Sequence, residues 1–199
     1  MYTLYYLPDT CSLATLTILH MLEQPVELIN RDAVADYQSI NPTMQVPALD
    51  TGAAVLTEGA AILLYLLNSH PNRLLPEQGY ERQRAIENIA FANASMHPAY
   101  GRLFFAQAHL HHAQAKQDFL NLAAVEINKL WQVVELRFGN QPYLGGREIA
   151  AADVLLAVYA RWGDLFPVDI TIGPKAQAMI ADVLAGAAFA KALRQQEAL

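Results

Sequence analysis

Met1-Tyr-Thr-Leu-Tyr-Tyr-Leu-Pro-Asp-Thr-Cys-Ser-Leu-Ala-Thr-Leu-Thr-Ile-Leu-His20 reads as a strand, a tight turn and a helix in one continuous stretch. Tyr2 to Tyr6 favours a strand, Pro8 and Asp9 break it, and a helix starting near Cys11 or Ser12 carries Leu13, Leu16, Ile18 and Leu19. The single cysteine therefore sits at a strand-to-helix junction. Unpaired backbone N–H groups and the positive end of the helix dipole converge there, which lowers a thiol pKa and favours a bound anion. Cys11 is thus a candidate reactive thiol, against the alternative of a small buried hydrophobe. Tyr5 and Tyr6, on the strand just before, must point to opposite faces of the sheet.

Moving outward, Pro25 restarts the chain and Val26-Glu-Leu-Ile29 alternates like a second strand, so the opening is a strand–helix–strand unit with parallel pairing. Residues 31 to 42 are polar and read as a loop with a weak helical turn. Val46-Pro-Ala-Leu-Asp50 and Ala53-Ala-Val-Leu56 flank Thr51-Gly52 as a hairpin, in which Pro47 caps an edge or follows a cis bond. A helix follows with Thr57 as N-cap and Ile62, Leu63, Leu66 and Leu67 as its apolar face. His70-Pro-Asn-Arg-Leu-Leu-Pro-Glu-Gln-Gly79 then marks a boundary. Beyond Tyr80 only helical patterns remain, over about 81 to 112, 115 to 138, 151 to 163, 174 to 185 and from 187 onward. The division is 1–70 as a small α/β domain, 71–80 as linker and 81–199 as an all-helical domain.

Composition narrows the function. The chain has 199 residues, 54% of them apolar, with 13 basic against 19 acidic side chains and a net charge of −6. The basic residues are scattered, which argues against nucleic acid or an anionic membrane as partner. No leader pattern and no apolar run long enough to span a bilayer is visible, so a cytoplasmic protein is expected. One cysteine permits no internal disulfide, and Ala14 excludes a two-thiol Cys-x-x-Cys motif.

Other positions carry weaker signals. Glu58-Gly59 opens a helix, where the acid complements the dipole or binds a ligand ammonium while adjacent N–H groups hold its carboxylate. His109, His111 and His112 lack carboxylates at useful spacing, so no metal site is expected. His97-Pro98 lies inside a helical pattern that a proline must kink. Ile149 to Val154 is half a capping box, with Asp153 at N3 and Ala150 lacking the hydroxyl that would return the bond, at about 1 kcal/mol.

In this order and spacing the pieces resemble the cytosolic glutathione transferases, most closely the bacterial beta class. Leu4-Tyr-Tyr-Leu-Pro-Asp-Thr-Cys-Ser-Leu-Ala14 resembles that class's strand–loop–Cys-Ser segment. Asn41-Pro-Thr-Met-Gln-Val-Pro-Ala-Leu49, Leu56-Thr-Glu-Gly-Ala-Ala-Ile62 and Ile149 to Leu155 match three further family segments. The resemblance implies a thioredoxin-like N-terminal domain, a helical-bundle C-terminal domain and a homodimer. It implies glutathione as co-substrate, held by Val46, by Pro47 through a cis bond, and by Glu58 and Gly59. Cys11 would lie beside its sulfur with Tyr6, Ser12 and His97 nearby, and Tyr100, Phe104, Trp162 and Phe166 would wall a pocket for a small apolar electrophile. The implied activity is detoxifying conjugation; the alternatives are glutathione-dependent thiol transfer or peroxidase chemistry through Cys11, and a non-catalytic binding module. Two departures bear on the site: Pro98 replaces the family's usual Lys, and Asp9 stands two residues before the thiol.

Overall fold

A computed structural model describes residues 1–198. Strand β1 (Tyr2–Tyr6) pairs parallel with β2 (Val26–Asn30) across helix α1 (Ser12–Met21), and antiparallel with β3 (Ala48–Asp50) on its other side. Strand β4 (Val55–Thr57) completes the sheet in the order β2-β1-β3-β4. The strand–helix–strand reading and the hairpin are both present. Alternation along β1 buries Leu4 and Tyr6 on one face and sets Tyr5 on the other, 5.7 Å from the Tyr37 ring. The hairpin turn is closed by Asp50, whose Oδ1 accepts the Gly52 N–H at 2.8 Å, and Gly52 takes the left-handed φ of 82° that such a turn requires.

Helix α2 (Gly59–Ser69) buries the four residues expected of it, Ile62, Leu63, Leu66 and Leu67. Its start differs from the sequence reading. Thr57 is the last residue of β4 and Glu58 is the N-cap, because the hairpin partner Ala48 holds Thr57 in the ladder. The loop at 31 to 42 contains two short 3₁₀ turns, Arg31–Ala33 and Tyr37–Ser39, the first capped by Asn30 Oδ1 on the Asp32 N–H.

The rest is helical: α3 (Gly79–Phe91), a π turn (Ala92–Met96), α4 (His97–His109), α5 (Ala113–Arg137), α6 (Ala151–Ala160), a 3₁₀ turn (Arg161–Leu165), α7 (Pro174–Ala185) and α8 (Ala187–Glu197). Contacts divide the chain into two units, Met1–Leu75 with the segment from Leu184 onward, and Pro76–Val183. Sequence reading assigns everything after 80 to one helical domain, whereas α8 packs on α1. The reason lies in α1, where every residue from Ser12 to Leu19 is buried, so the helix needs cover beyond the sheet. Helix α8, which buries Phe189 and Ala192, supplies it, and His20 Nε2 meets Gln195 Oε1 at 2.9 Å.

Within the second unit, Glu135 of α5 caps α7. Its carboxylate accepts the Lys175 N–H at 3.1 Å and the Ala176 N–H at 3.0 Å. Gly173 makes room for it, since a Cβ there would stand 2.5 Å from Glu135 Oε2. Glu135→Ala is expected to lower stability by about 1 kcal/mol in urea unfolding, as loss of a helix cap does.

Candidate active site

The candidate residues fall into two groups, one in each unit. In the first, the turn after β1 places Cys11 as N-cap of α1, where its Sγ donates to the Val46 carbonyl at 3.2 Å. Val46 precedes β3 and is joined to Pro47 by a cis peptide bond, so its backbone borders the sheet beside the thiol. Burial pushes the Cys11 thiol up to about 11, although the backbone N–H groups of Cys11 and Ser12 pull the other way. The expected lowering by the helix start is therefore corrected. The local donors exist, but removal from water outweighs them.

Ser12 is fully buried and its hydroxyl is engaged, 2.7 Å from Thr10 Oγ1 and 3.2 Å from the Leu7 carbonyl. Thr10 Oγ1 donates to the same carbonyl at 2.9 Å, so Thr10 and Ser12 together hold the turn that presents Cys11. Tyr6 is fully buried, and no partner meets its hydroxyl. Asp9 is exposed, with a left-handed φ of 54°.

Glu58 is exposed and has φ 68° and ψ 111°, a backbone region that side chains rarely occupy. No side chain caps α2 and no acid lies in its first turn, which leaves the leading N–H groups open to a carboxylate, with Gly59 offering no side chain in the way. An anion-accepting helix start next to an exposed carboxylate suits a group bearing both carboxylate and ammonium.

In the second unit His97, Tyr100, Phe104, Trp162 and Phe166 form one aromatic cluster. Trp162 is the hub, 5.3 Å from His97, 5.9 Å from Tyr100 and 5.6 Å from Phe104; Phe104 meets Phe166 at 4.9 Å. Tyr100, Trp162 and Phe166 are buried, Tyr100 receiving the Trp131 indole N–H at 2.9 Å, whereas Phe104 is 41% exposed. Sequence reading missed Tyr159, whose ring stacks on His97 at 5.0 Å and 17° and on Trp162 at 4.8 Å. The available signal was its spacing of three from Trp162 at the end of a helical pattern.

Among the described residues no group of three or more His, Cys, Asp or Glu is placed to hold a metal. His112 caps α5 by accepting the Ala115 N–H at 3.3 Å, and His109 packs on Phe105 at 4.8 Å. No single helix among the described residues is long and apolar enough to cross a membrane.

Residues 14–74 match the family profile described as Glutathione S-transferase, N-terminal domain. The chain is 34% identical over 174 residues to Glutathione S-transferase GST-4.5 of Xanthomonas campestris pv. campestris, covering 84% of this chain and 85% of that protein. Its fold is similar to that of a glutathione S-transferase from Xylella fastidiosa, with TM-score 0.89, 27% identity and 99% of each chain covered. It is also similar to a sphingomonad glutathione S-transferase complexed with glutathione, with TM-score 0.84 and 26% identity, covering 99% of this chain and 100% of that one.

Proposed function

Because the chain belongs to the glutathione S-transferase family, we propose that it binds glutathione in its first unit, stabilises the glutathione thiolate and transfers it to small apolar electrophiles. One observation carries the reading: the Cys11 thiol stands 3.2 Å from the Val46 carbonyl, so a thiol borders backbone to which an extended peptide can add. The cysteinyl backbone of glutathione pairs with Val46 ahead of Pro47. The γ-glutamyl carboxylate takes the open N–H groups of Gly59 and its successors, and Glu58 takes the ammonium.

A thiol near 11 is almost wholly protonated at neutral pH, which makes Cys11 a hydrogen-bond donor rather than a nucleophile. Its S–H turns from the Val46 carbonyl to the glutathione sulfur, whose proton has left to solvent. That sulfur forms the new bond to the electrophilic carbon as the leaving group departs with the bonding pair. The aromatic cluster around Trp162, exposed at Phe104, receives the apolar co-substrate, and His97, which packs in that cluster, takes part in the conjugation. Cytoplasmic glutathione is reduced and supplies the thiol. The apolar residues that α5 exposes, Leu122 at 68% and Leu136 at 80%, support a homodimer, which light scattering tests.

Two measurements test the assignment. Calorimetry should show glutathione binding at millimolar ligand or below, and none at that concentration would overturn the reading. Cys11→Ala should retain conjugation while the pH at which its rate rises moves upward, because the glutathione thiolate loses a donor. Conjugation abolished, with disulfide reduction lost beside it, would instead make Cys11 the nucleophile of a thiol-transfer enzyme.

A further inference from the structure

The helix that carries His97 is irregular just before it. Over Ala92–Met96 the backbone widens into a π turn, and the His97 N–H bonds the Ala92 carbonyl, five residues back rather than four. Such turns are rare and concentrate at functional sites, since the extra residue re-aims the side chains that follow. Here the first side chain to follow is His97, whose ring lies parallel to Tyr159 and beside Trp162.

Pro98 supplies a physical cause. Proline has no N–H, and in a regular α-helix its ring collides with the carbonyl four residues earlier, here that of Ala94, at ~3 kcal/mol or more. Widening the turn immediately before the proline moves that carbonyl off the ring. Pro98 itself is exposed, so core packing does not call for it. A one-residue change in helical register turns the side chains that follow by about 100°, enough to take an imidazole from one neighbour to another.

We propose that Pro98 is a positioning residue, which holds the π turn at Ala92–Met96 open and thereby fixes the His97 ring against Tyr159 and Trp162. The inference rests on the reading that His97 takes part in conjugation. It gives the departure at position 98 a role: a rigid backbone that aims the imidazole stands where a cationic side chain was expected.

Pro98→Ala tests this in the full-length protein. Alanine restores the N–H and is the best helix former, so the unfolding midpoint should hold or rise. The His97 ring protons, shifted upfield in NMR spectra by stacking on Tyr159, should move back toward free imidazole. kcat/KM for chlorodinitrobenzene in conjugation should fall at least about fivefold, the scale on which small misplacements of a positioned group are felt. Unchanged His97 resonances would overturn the proposal, because the turn would then persist without its proline. A variant both less stable and less active would overturn it too, as the mark of a proline that only supports the fold. His97→Gln checks the premise separately. If it conjugates like wild type, the catalytic reading of His97 fails while the resonances still report on the turn. If it is impaired, and Pro98→Ala moves the resonances but not kcat/KM, the positioning role is overturned.

Discussion

Asp153→Ala should cost the protein roughly 2 to 4 kcal/mol of stability. Asp153 is completely buried at the third position of α6. One carboxylate oxygen accepts the Ala150 N–H at 2.8 Å and the other the Leu144 N–H at 3.1 Å, so a single side chain caps the helix and ties down the loop before it. Alanine leaves the buried Ala150 N–H and the part-buried Leu144 N–H without an acceptor, at about 1 to 3 kcal/mol for the buried donor and less for the other. Ala150 cannot share the load, having no side-chain oxygen. The loop has little freedom to compensate, since a Cβ on Gly145 would already lie 2.5 Å from the Glu148 carbonyl. Urea unfolding should show a lower midpoint at unchanged slope.

The same carboxylate has a pH signature. Burial raises its pKa from 3.8 to about 6, against the pull of the backbone donors. The folded state therefore binds this proton more tightly than the unfolded state does. Its contribution to stability is full below about 4 and is lost as pH rises through about 6. The stability of wild type relative to Asp153→Asn should fall between pH 4 and pH 7, and a flat or rising difference would show that the backbone donors outweigh burial.

What could be read from the sequence follows from which interactions are local. The β1–α1–β2 unit, the hairpin and α2 were legible because alternation, turn residues and apolar spacing act within a few positions. The cis bond at Pro47 was one of two readings of a proline in a strand pattern, and the structure contains it. Three features depend on distant partners and were not legible. Cys11 loses its expected acidity because the fold buries it. Helix α8 joins the first unit because α1 is buried along its length. The π turn before His97 was visible only as a proline that had to bend something, since a kink and a widened turn share one sequence signal. The aromatic cluster was half legible: four of its members could be chosen by type, but Tyr159 enters through packing between α6 and His97.

Glu58→Gly should weaken glutathione binding while making the protein more stable. Glu58 stands at φ 68° and ψ 111°, and holding a residue with a side chain there costs about 1 to 3 kcal/mol. Glycine occupies that region freely, so the substitution should recover about 1 kcal/mol of stability, reduced by the greater freedom glycine gives the unfolded chain. The same change deletes the carboxylate proposed to hold the ligand ammonium. A hydrogen bond to a charged group contributes roughly 1.5 to 3 kcal/mol, which predicts a loss in glutathione affinity of about ten- to a hundredfold. Glu58→Gln separates the two effects, since it keeps the strained backbone and the side-chain shape but removes the charge. It should bind glutathione nearly as weakly as the glycine variant with wild-type stability. If the glycine variant binds glutathione normally, the ammonium is held elsewhere and the strain at Glu58 serves only the join between β4 and α2. If both variants bind weakly and only the glycine variant gains stability, the backbone is strained in order to aim the carboxylate at the ligand.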